Sequence, residues 1–461
     1  MQTPASCRQN RCKMRNLFLL LFLMTLSGGS FSQSLFEQPG LEGEPSKSRL
    51  EWSGYARGSA FGCSALFDLS TLFGEMALQG KYHFGKAFLY ADMRFREGLQ
   101  FGDTGPTLQL KEAYAGYQSD KLDLYLGNQV VTWGRTDGFN PTNCITPTDY
   151  FFLTAEPDDQ TLPNFLLRAK YHFTPQIYLE GIGIPVFRPS DYRYDLFRLE
   201  GNTRFDETDL PERNFSNGTV AARLNAEFPG AGFSLSYFNG YDPFYGFGLK
   251  SLDLANFMDP AIVYEPAFFR KQAAGADFAV PMSNWVARGE LAWKWTKGYD
   301  TLMYVPNPGL SYVLGLERSF WGVTAIFQYI GQYTHDFRTI SEPNLENPLD
   351  PVALAAYIRE KVNYESELFN RKIFQQQERS NHALFLSLSR SFIHEALRAE
   401  VACYYNITSE EYMARPRLTW KVSDALSVSA GAQFMNGPER SVFHYAGDIL
   451  GGAFAELRVS F

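Results

Sequence analysis

The chain of 461 residues lacks several things that would narrow its function quickly. Outside the run Leu17 to Leu26 no stretch approaches the 18 or so uninterrupted apolar residues that a membrane-crossing helix needs, which excludes a multi-helix membrane protein. Cysteine is scarce: five residues, with Cys7 and Cys12 close to the N-terminus and Cys63, Cys144 and Cys403 at no metal-ligand spacing. A Cys63–Cys144 disulfide between two loops stays open at this stage. Positive charge is not in excess, since the formal net charge is -8, so there is no footprint for nucleic acid. No Gly-rich phosphate loop, zinc motif or paired-carboxylate signature occurs. Ser391, His394, His335 and Asp336 are at no spacing that joins them into a hydrolytic triad. The reading is therefore not an enzyme, with no cofactor and no metal.

What is present is aromatic and glycine-punctuated. Aromatic residues make up 16% of the chain, led by 40 Phe and 26 Tyr, with 38 Gly. The last eleven residues, Gly451 to Phe461, alternate strictly: Ala453, Ala455, Leu457, Val459 and Phe461 fall on one face, with Glu456, Arg458 and Ser460 between them. Period-2 alternation recurs upstream. In 86–96, Leu89, Ala91, Met93 and Phe95 oppose Tyr90, Asp92, Arg94 and Arg96. In 164–173, Phe165, Leu167, Ala169, Tyr171 and Phe173 oppose Arg168, Lys170 and His172. The segments 284–296, 396–406 and 412–421 behave alike, whereas 107–117 and 309–318 alternate poorly and suggest bulges.

These segments predict roughly eighteen strands, with sixteen the alternative, most of them about ten residues long, the length that crosses a bilayer at barrel tilt. Connections after even-numbered strands are short, as at His83 to Lys86 and Thr174-Pro175. Several after odd-numbered strands are long: 97–106, 134–163, 188–217, 241–269 and 335–379. An apolar face turned inward would leave so wide a barrel unpacked, so the apolar faces look outward and the charged faces line the lumen. The fold class is then all-β: a transmembrane antiparallel β-barrel with short periplasmic turns and long extracellular loops, in the outer membrane of a Gram-negative-type bacterium. Cys403 falls on the outward face. The terminal strand resembles those of outer-membrane barrels as a class, which implies recognition of Phe461 by the barrel-assembly machinery and contact with outer-membrane lipid. Residues 1–32, with Arg11, Lys13 and Arg15 ahead of the apolar run, read as a secretory signal cleaved before Gln33. Residues 33–50 are a short periplasmic lead-in, and 51–461 the barrel.

The most distinctive stretch is 124–149. Gly127, Gln129, Trp133 and Gly134 end a strand, and Asn140, Pro147 and Asp149 follow in a loop. This pattern resembles a segment of porin-like outer-membrane families and, more loosely, the alginate-export channels. The resemblance implies a channel and a third loop that folds inward, with Arg135, Asp137 and Asp149 at a constriction. Read without it, Asp149 caps a tight turn. Alternation places Arg94, Arg96, Arg168, Lys170, Arg223, Arg288, Lys294, Arg398, Arg415, Arg417, Lys421 and Arg458 on the lumen side, against Asp92, Glu180, Glu227, Glu290, Glu400 and Glu456. A basic lumen favours anionic solutes; cross-strand pairing that stiffens the wall is the bland alternative. Tyr237, Phe238, Tyr241, Phe244, Tyr245 and Phe247 form an interfacial girdle rather than a sugar slide. In the longest loop, Asp350 and Pro351 start a short helix over the mouth, with Val352, Ala355, Ala356 and Ile358 on its apolar face. His172 and His382 belong to the lumen wall. The functional reading is a porin-like channel for small hydrophilic, and by the charge count anionic, solutes. The alternative is a non-conducting barrel that binds or supports through its long loops.

Overall fold

The computed structural model describes residues 49–461, apart from 198–200, 208 and 346. The signal segment 1–32 and nearly all of the lead-in 33–50 lie outside the described residues.

Eighteen strands form one antiparallel sheet that closes on itself. They are β1 (Leu50–Gly62), β2 (Leu69–Phe84), β3 (Ala87–Gln100), β4 (Asp103–Gln118), β5 (Leu122–Gln129), β6 (Asn164–His172), β7 (Ile177–Ile184), β9 (Thr219–Phe228), β10 (Ala231–Tyr241), β13 (Arg270–Met282), β14 (Trp285–Thr296), β15 (Gly309–Phe320), β16 (Val323–Thr334), β17 (Ser380–Phe392), β18 (Leu397–Asn406), β19 (Tyr412–Lys421), β20 (Leu426–Asn436) and β21 (Gly452–Ser460). Each pairs with its neighbour in sequence, and β21 returns to β1 with Tyr55 opposite Ser460 and Gly62 opposite Ala453. Closure satisfies every strand edge, which a spanning sheet in hydrocarbon requires. The remaining strands, β8 (Thr203–Phe205), β11 (Gly246–Asp253) and β12 (Ala261–Ala267), make a small separate sheet from the loops after β7 and β10.

Strand register decides which face each side chain takes. Leu89, Met93 and Phe95 are 51%, 45% and 47% exposed, while Asp92 and Arg94 between them are 3% and 9% exposed. The same split runs round the barrel, with Phe165, Leu167, Leu235, Leu291, Leu314, Phe327, Leu386, Leu418 and Leu457 all exposed on the outside. This is an outer-membrane β-barrel: apolar out, polar in. Cys403 pairs with outward Leu386, as anticipated, and Cys63, Cys144 and Cys403 are all free thiols. His382 departs from expectation. It lies opposite Gly331, outside the barrel, where its ring bonds Tyr329 Oη at 2.7 Å.

The two poorly alternating segments have different causes. In β4 a bulge opposite Asp92 and Met93 adds one residue, so Lys111 and Glu112 both serve the inner face. In β15 pairing is regular on both sides. Its inner face holds fully buried Val313, which packs in an apolar cluster with Phe139 of a loop, and the usual polar signal is therefore missing.

Connections on the periplasmic side are tight turns, such as Trp321-Gly322 with φ of 51° and 76°. One predicted long loop is absent. Instead of a loop over 97–106, β3 and β4 run on to a turn at Phe101-Gly102, whose φ values of 48° and 92° are those of a two-residue hairpin. The extra length is stabilised because Phe101 is buried against Phe67 and Phe151. Helix α1 (Pro351–Ile373) is longer than foreseen. Asp350 caps it, accepting from the Val352 amide at 2.9 Å. Its buried face is Val362, Ser366 and Asn370, not the Val352 end, which is 77% exposed. Asn370 exchanges hydrogen bonds of 2.8 Å with the backbone of Phe247, so α1 packs on the small sheet. A second helix, α2 (Val442–Leu450), stands between β20 and β21, where the alternation pattern predicts only a connection.

The outward face makes a direct prediction. Leu235→Arg, at a position 62% exposed to the apolar surroundings, is expected to cost the barrel about 2–4 kcal/mol if it sits near the midplane. Urea unfolding from lipid vesicles measures it, and an arginine at inward Ser236 serves as the comparison.

Candidate functional site

Residues 130–163, the third outward loop, lie inside the barrel. Strand β5 stops at Gln129 rather than continuing to Trp133, because the chain turns inward there. The Val130 amide bonds Glu112 at 2.9 Å, and Val131 and Trp133 pack with Cys144, Ile145, Ile182, Phe238 and Ala273 against the wall. Trp133 Nε1 donates to Glu180 of β7 at 3.0 Å.

The motif residues build this turn. Gly127 has φ of 137° and Gly134 of 108°, conformations that side chains rarely adopt, and Asn140 lies over Gly134 where a Cβ would stand. The Gln129 amide group donates to Leu166 O at 3.3 Å. The Pro147 carbonyl accepts from the Leu162 amide at 2.8 Å. Asp149 accepts from the Phe151 amide at 3.0 Å, so it does cap a turn.

On one side of the lumen the loop is held by carboxylates. Glu290 of β14 accepts from the Arg135, Thr136 and Thr142 amides at 2.6, 2.7 and 3.3 Å, and from the two threonine hydroxyls at 2.7 and 2.8 Å. Arg135 itself reaches Asp277 at 2.6 Å, Glu227 at 2.6 Å and Asn225 at 2.8 Å. Asp137 pairs with Arg288, which also pairs with Glu317 at 2.6 Å. On the opposite side the polarity reverses. Asp159 receives Arg57 at 2.5 Å and Arg94 at 3.1 Å. Arg415 donates to Thr154 O at 2.6 Å, and Arg417 to Ala155 O at 2.9 Å and to Glu156 at 2.8 Å. Arg96 lies 3.8 Å over the ring of Phe152 and pairs with Glu75 at 2.6 Å. Lys111 holds the Asp159 and Thr161 carbonyls.

The remaining candidates sit apart. Arg168 pairs with Glu180, and Arg223 with Asp277 at 2.9 Å, both on the wall beside the loop. Lys170 and Lys294 face inward on β6 and β14 without a carboxylate partner among the described residues. Arg398, paired with Glu400 at 2.7 Å, and Lys421 lie at the periplasmic ends of β18 and β19, away from the loop. Alternation alone missed Arg57, Glu75, Lys111, Glu112, Asp123, Lys271, Asp277 and Glu317. The paired inward register in adjacent strands, with Glu75 opposite Arg57, was the signal that could have found the first two. Of the aromatic run, Tyr237 and Tyr241 take the outward register, as girdle residues would. Phe238 packs inside, and Phe244, Tyr245 and Phe247 join Tyr192, Phe268, Phe374 and Phe369 in a ring network that ties the loops together.

No protein-family model and no curated protein matches the sequence. Solved structures resemble its fold. The outer membrane protein OpdK of Pseudomonas aeruginosa is 9% identical, with a TM-score of 0.51 over 89% of this chain and 98% of its own. OccK5 (OpdH) of the same organism is 10% identical, with a TM-score of 0.50 over 89% of this chain and 97% of its own. At such identity the likeness establishes the fold that they share.

Two predictions follow from the loop's anchoring. Glu290→Ala leaves buried donors of residues 135, 136 and 142 without their acceptor. If two of those bonds count at ~1 kcal/mol each, the loop should open roughly 30-fold more often. Limited proteolysis, with cleavage mapped between 134 and 149, reads the change. The second concerns pH. Burial pushes the Asp149 carboxyl up to about 6, with nearby Asp191 adding to it. A folded-state pKa above the unfolded value means that the favourable state is the protonated one. Its contribution is complete below about pH 4, falls through pH 6, and is gone above it. Hydrogen exchange of the Phe151 and Leu162 amides should therefore show less protection at pH 7.5 than at pH 5 once corrected for intrinsic rates, and Asp149→Asn should flatten the difference.

Proposed function

We propose that the protein is an outer-membrane channel through which small hydrophilic solutes diffuse, with a preference for anions. The observation that carries this reading is the third loop, drawn into a polar-walled barrel and fastened on opposite sides by charges of opposite sign. Such an arrangement narrows a passage and sets a transverse field across it. A barrel serving only as a surface support needs neither. The resemblance of the Gly127 to Asp149 segment to porin-like families supports the same reading.

The preference for anions rests on fewer residues than a formal count gives. Most inward arginines are neutralised by a wall or loop carboxylate. Lys170, Lys294 and Arg458 have no carboxylate partner among the described residues, and Arg458 instead stacks 3.8 Å over Tyr55. Lys111 and Arg415 hold carbonyls, so their charge is also uncancelled locally. In this reading residues 1–32 direct export, and the strand ending at Phe461 is what the assembly machinery recognises. The packed cap of α1, the small sheet and the aromatic loop network favours a second reading, a closed barrel that works through its outer loops.

Planar-bilayer recording of the refolded protein under a salt gradient separates them. Steady conductance with a reversal potential on the anion side is the expected result, moving toward zero in Lys294→Gln/Arg458→Gln. Cation preference would keep the channel and discard the charge argument. Silence across all potentials would favour the closed barrel.

A further inference from the structure

Between the third loop and the periplasmic turns, the inner wall of β3 to β7 is lined with rings. Phe88 and Tyr90 of β3, Tyr114 of β4, Tyr125 of β5 and Tyr178 of β7 all take the inward register. Ring centroids lie 5.2 Å apart for Tyr90–Tyr114, 6.1 Å for Phe88–Tyr114 and 6.2 Å for Tyr114–Tyr125. Gly116 makes this possible: it stands opposite both Phe88 and Tyr125, and the Phe88 ring occupies the place of its missing side chain. Phe88 is buried as the floor of the strip, whereas the four tyrosines are half-exposed.

Basic groups border the strip, and rings rather than carboxylates hold them. Lys81 Nζ is 4.4 Å from the Phe88 centroid and Lys170 Nζ 5.2 Å from that of Tyr178. Among the described residues neither lysine has a carboxylate within ion-pair distance. Glu51, opposite Lys81 in register, lies 3.8 Å from His83, and the other nearby acids are committed elsewhere. Asp92 takes Arg94 and Gln79 at 3.0 Å each, Glu112 takes the Val130 amide at 2.9 Å, Glu180 takes Trp133 and Arg168, and Asp123 takes His172 at 3.0 Å. The wall thus offers tyrosine rings, tilted or edge-on to one another, phenol hydroxyls and two ammonium groups without carboxylate partners along the arc from β2 to β7. Nothing about barrel stability requires that combination, since aliphatic or small polar residues serve an inner wall as well.

We propose that Tyr90, Tyr114, Tyr125 and Tyr178, with Lys81 and Lys170, form a binding subsite for flat ring-shaped solutes that carry an anionic group, on the periplasmic side of the third loop. The ring stacks on the tyrosine faces and the anion meets a lysine. This deepens the channel reading and rests on it: the subsite would hold solutes that have passed the loop, ahead of release.

The test uses the full-length refolded protein and benzoate as probe, with acetate (charge without ring) and benzyl alcohol (ring without charge) as comparisons. Binding is read by saturation-transfer NMR in detergent, and current blockade in planar bilayers by the same compounds. Benzoate should bind at least tenfold more tightly than either comparison. Loss of the stacking faces in Tyr114→Leu/Tyr125→Leu should weaken it by five- to a hundredfold, ~1–3 kcal/mol in all, the size of one stacked ring. Tyr125→Phe, which keeps the ring, should bind like the parent and guards against misfolding as the cause. Equal binding of acetate and benzoate, or an unchanged affinity in the double variant, would overturn the subsite. A silent barrel that still binds benzoate through these tyrosines would overturn the channel reading and leave the subsite standing.

Discussion

Arg57 is the point on which the closed barrel and its inner loop both depend. It projects inward from the first strand with its side chain fully buried. Its guanidinium reaches Glu75 on β2 at 2.7 Å, Glu456 on the closing strand β21 at 3.5 Å, and Asp159 of the third loop at 2.5 Å. Tyr55, Phe73 and Phe152 surround it with rings at 5.5, 5.6 and 6.0 Å. A buried cation is stable only when its partners are all in place. Here those partners come from both sides of the barrel seam and from the loop. Seam closure and loop insertion are thereby made mutually dependent: without β21 the site lacks Glu456, and without the loop it lacks Asp159.

The width of the barrel explains why such anchoring is needed. An eighteen-strand wall is too wide for its own inward side chains to meet across the middle. Chain from elsewhere must occupy part of the space, and loop backbone brings polar groups that need partners there. The wall supplies them in complementary sets: Glu290, Asp277 and Glu227 for the cationic and N–H-rich start of the loop, and Arg57, Arg94, Arg415 and Arg417 for its carbonyl-rich and acidic end. Apolar packing fills the gaps. Phe139 covers Val313 and Ile330, while Phe151, Leu153 and Ala155 meet Ala446 and Ile449 of α2.

Strand number, order and facing were legible because a barrel in lipid writes its outer face as strict alternation, and its two sides as short turns against long loops. The signal weakened wherever the inner face was not polar. Val313 hid the alternation of β15, and the bulge at Lys111 hid that of β4. Loop length misled at 97–106, where Phe101 and Gly102 close a tight hairpin and the strands rise beyond the apolar band. The turn-forming roles of Gly134, Asn140 and Asp149 could be read from residue type. Their partners could not, because Glu290 lies 155 residues from Arg135, and no local pattern reports a pairing at that range.

The same limit applies to charge, and it changes how a lumen should be judged. Counting bases on inward positions gave a strongly basic wall. Register brings in the acids Glu75, Glu112, Asp123, Asp277 and Glu317, and most arginines turn out to spend their charge on a neighbour or on the loop. A solute responds to the field that remains after such pairing. That field comes from Lys111 and Arg415, whose partners are carbonyls, from Lys81, Lys170 and Arg458, which lie against rings, and from Lys294. The uncancelled charge is therefore confined to a few points of the wall, and at Lys81, Lys170 and Arg458 it sits next to an aromatic face. Net charge, which is negative for the whole chain, carries no information about this field; the position of each unpaired cation does.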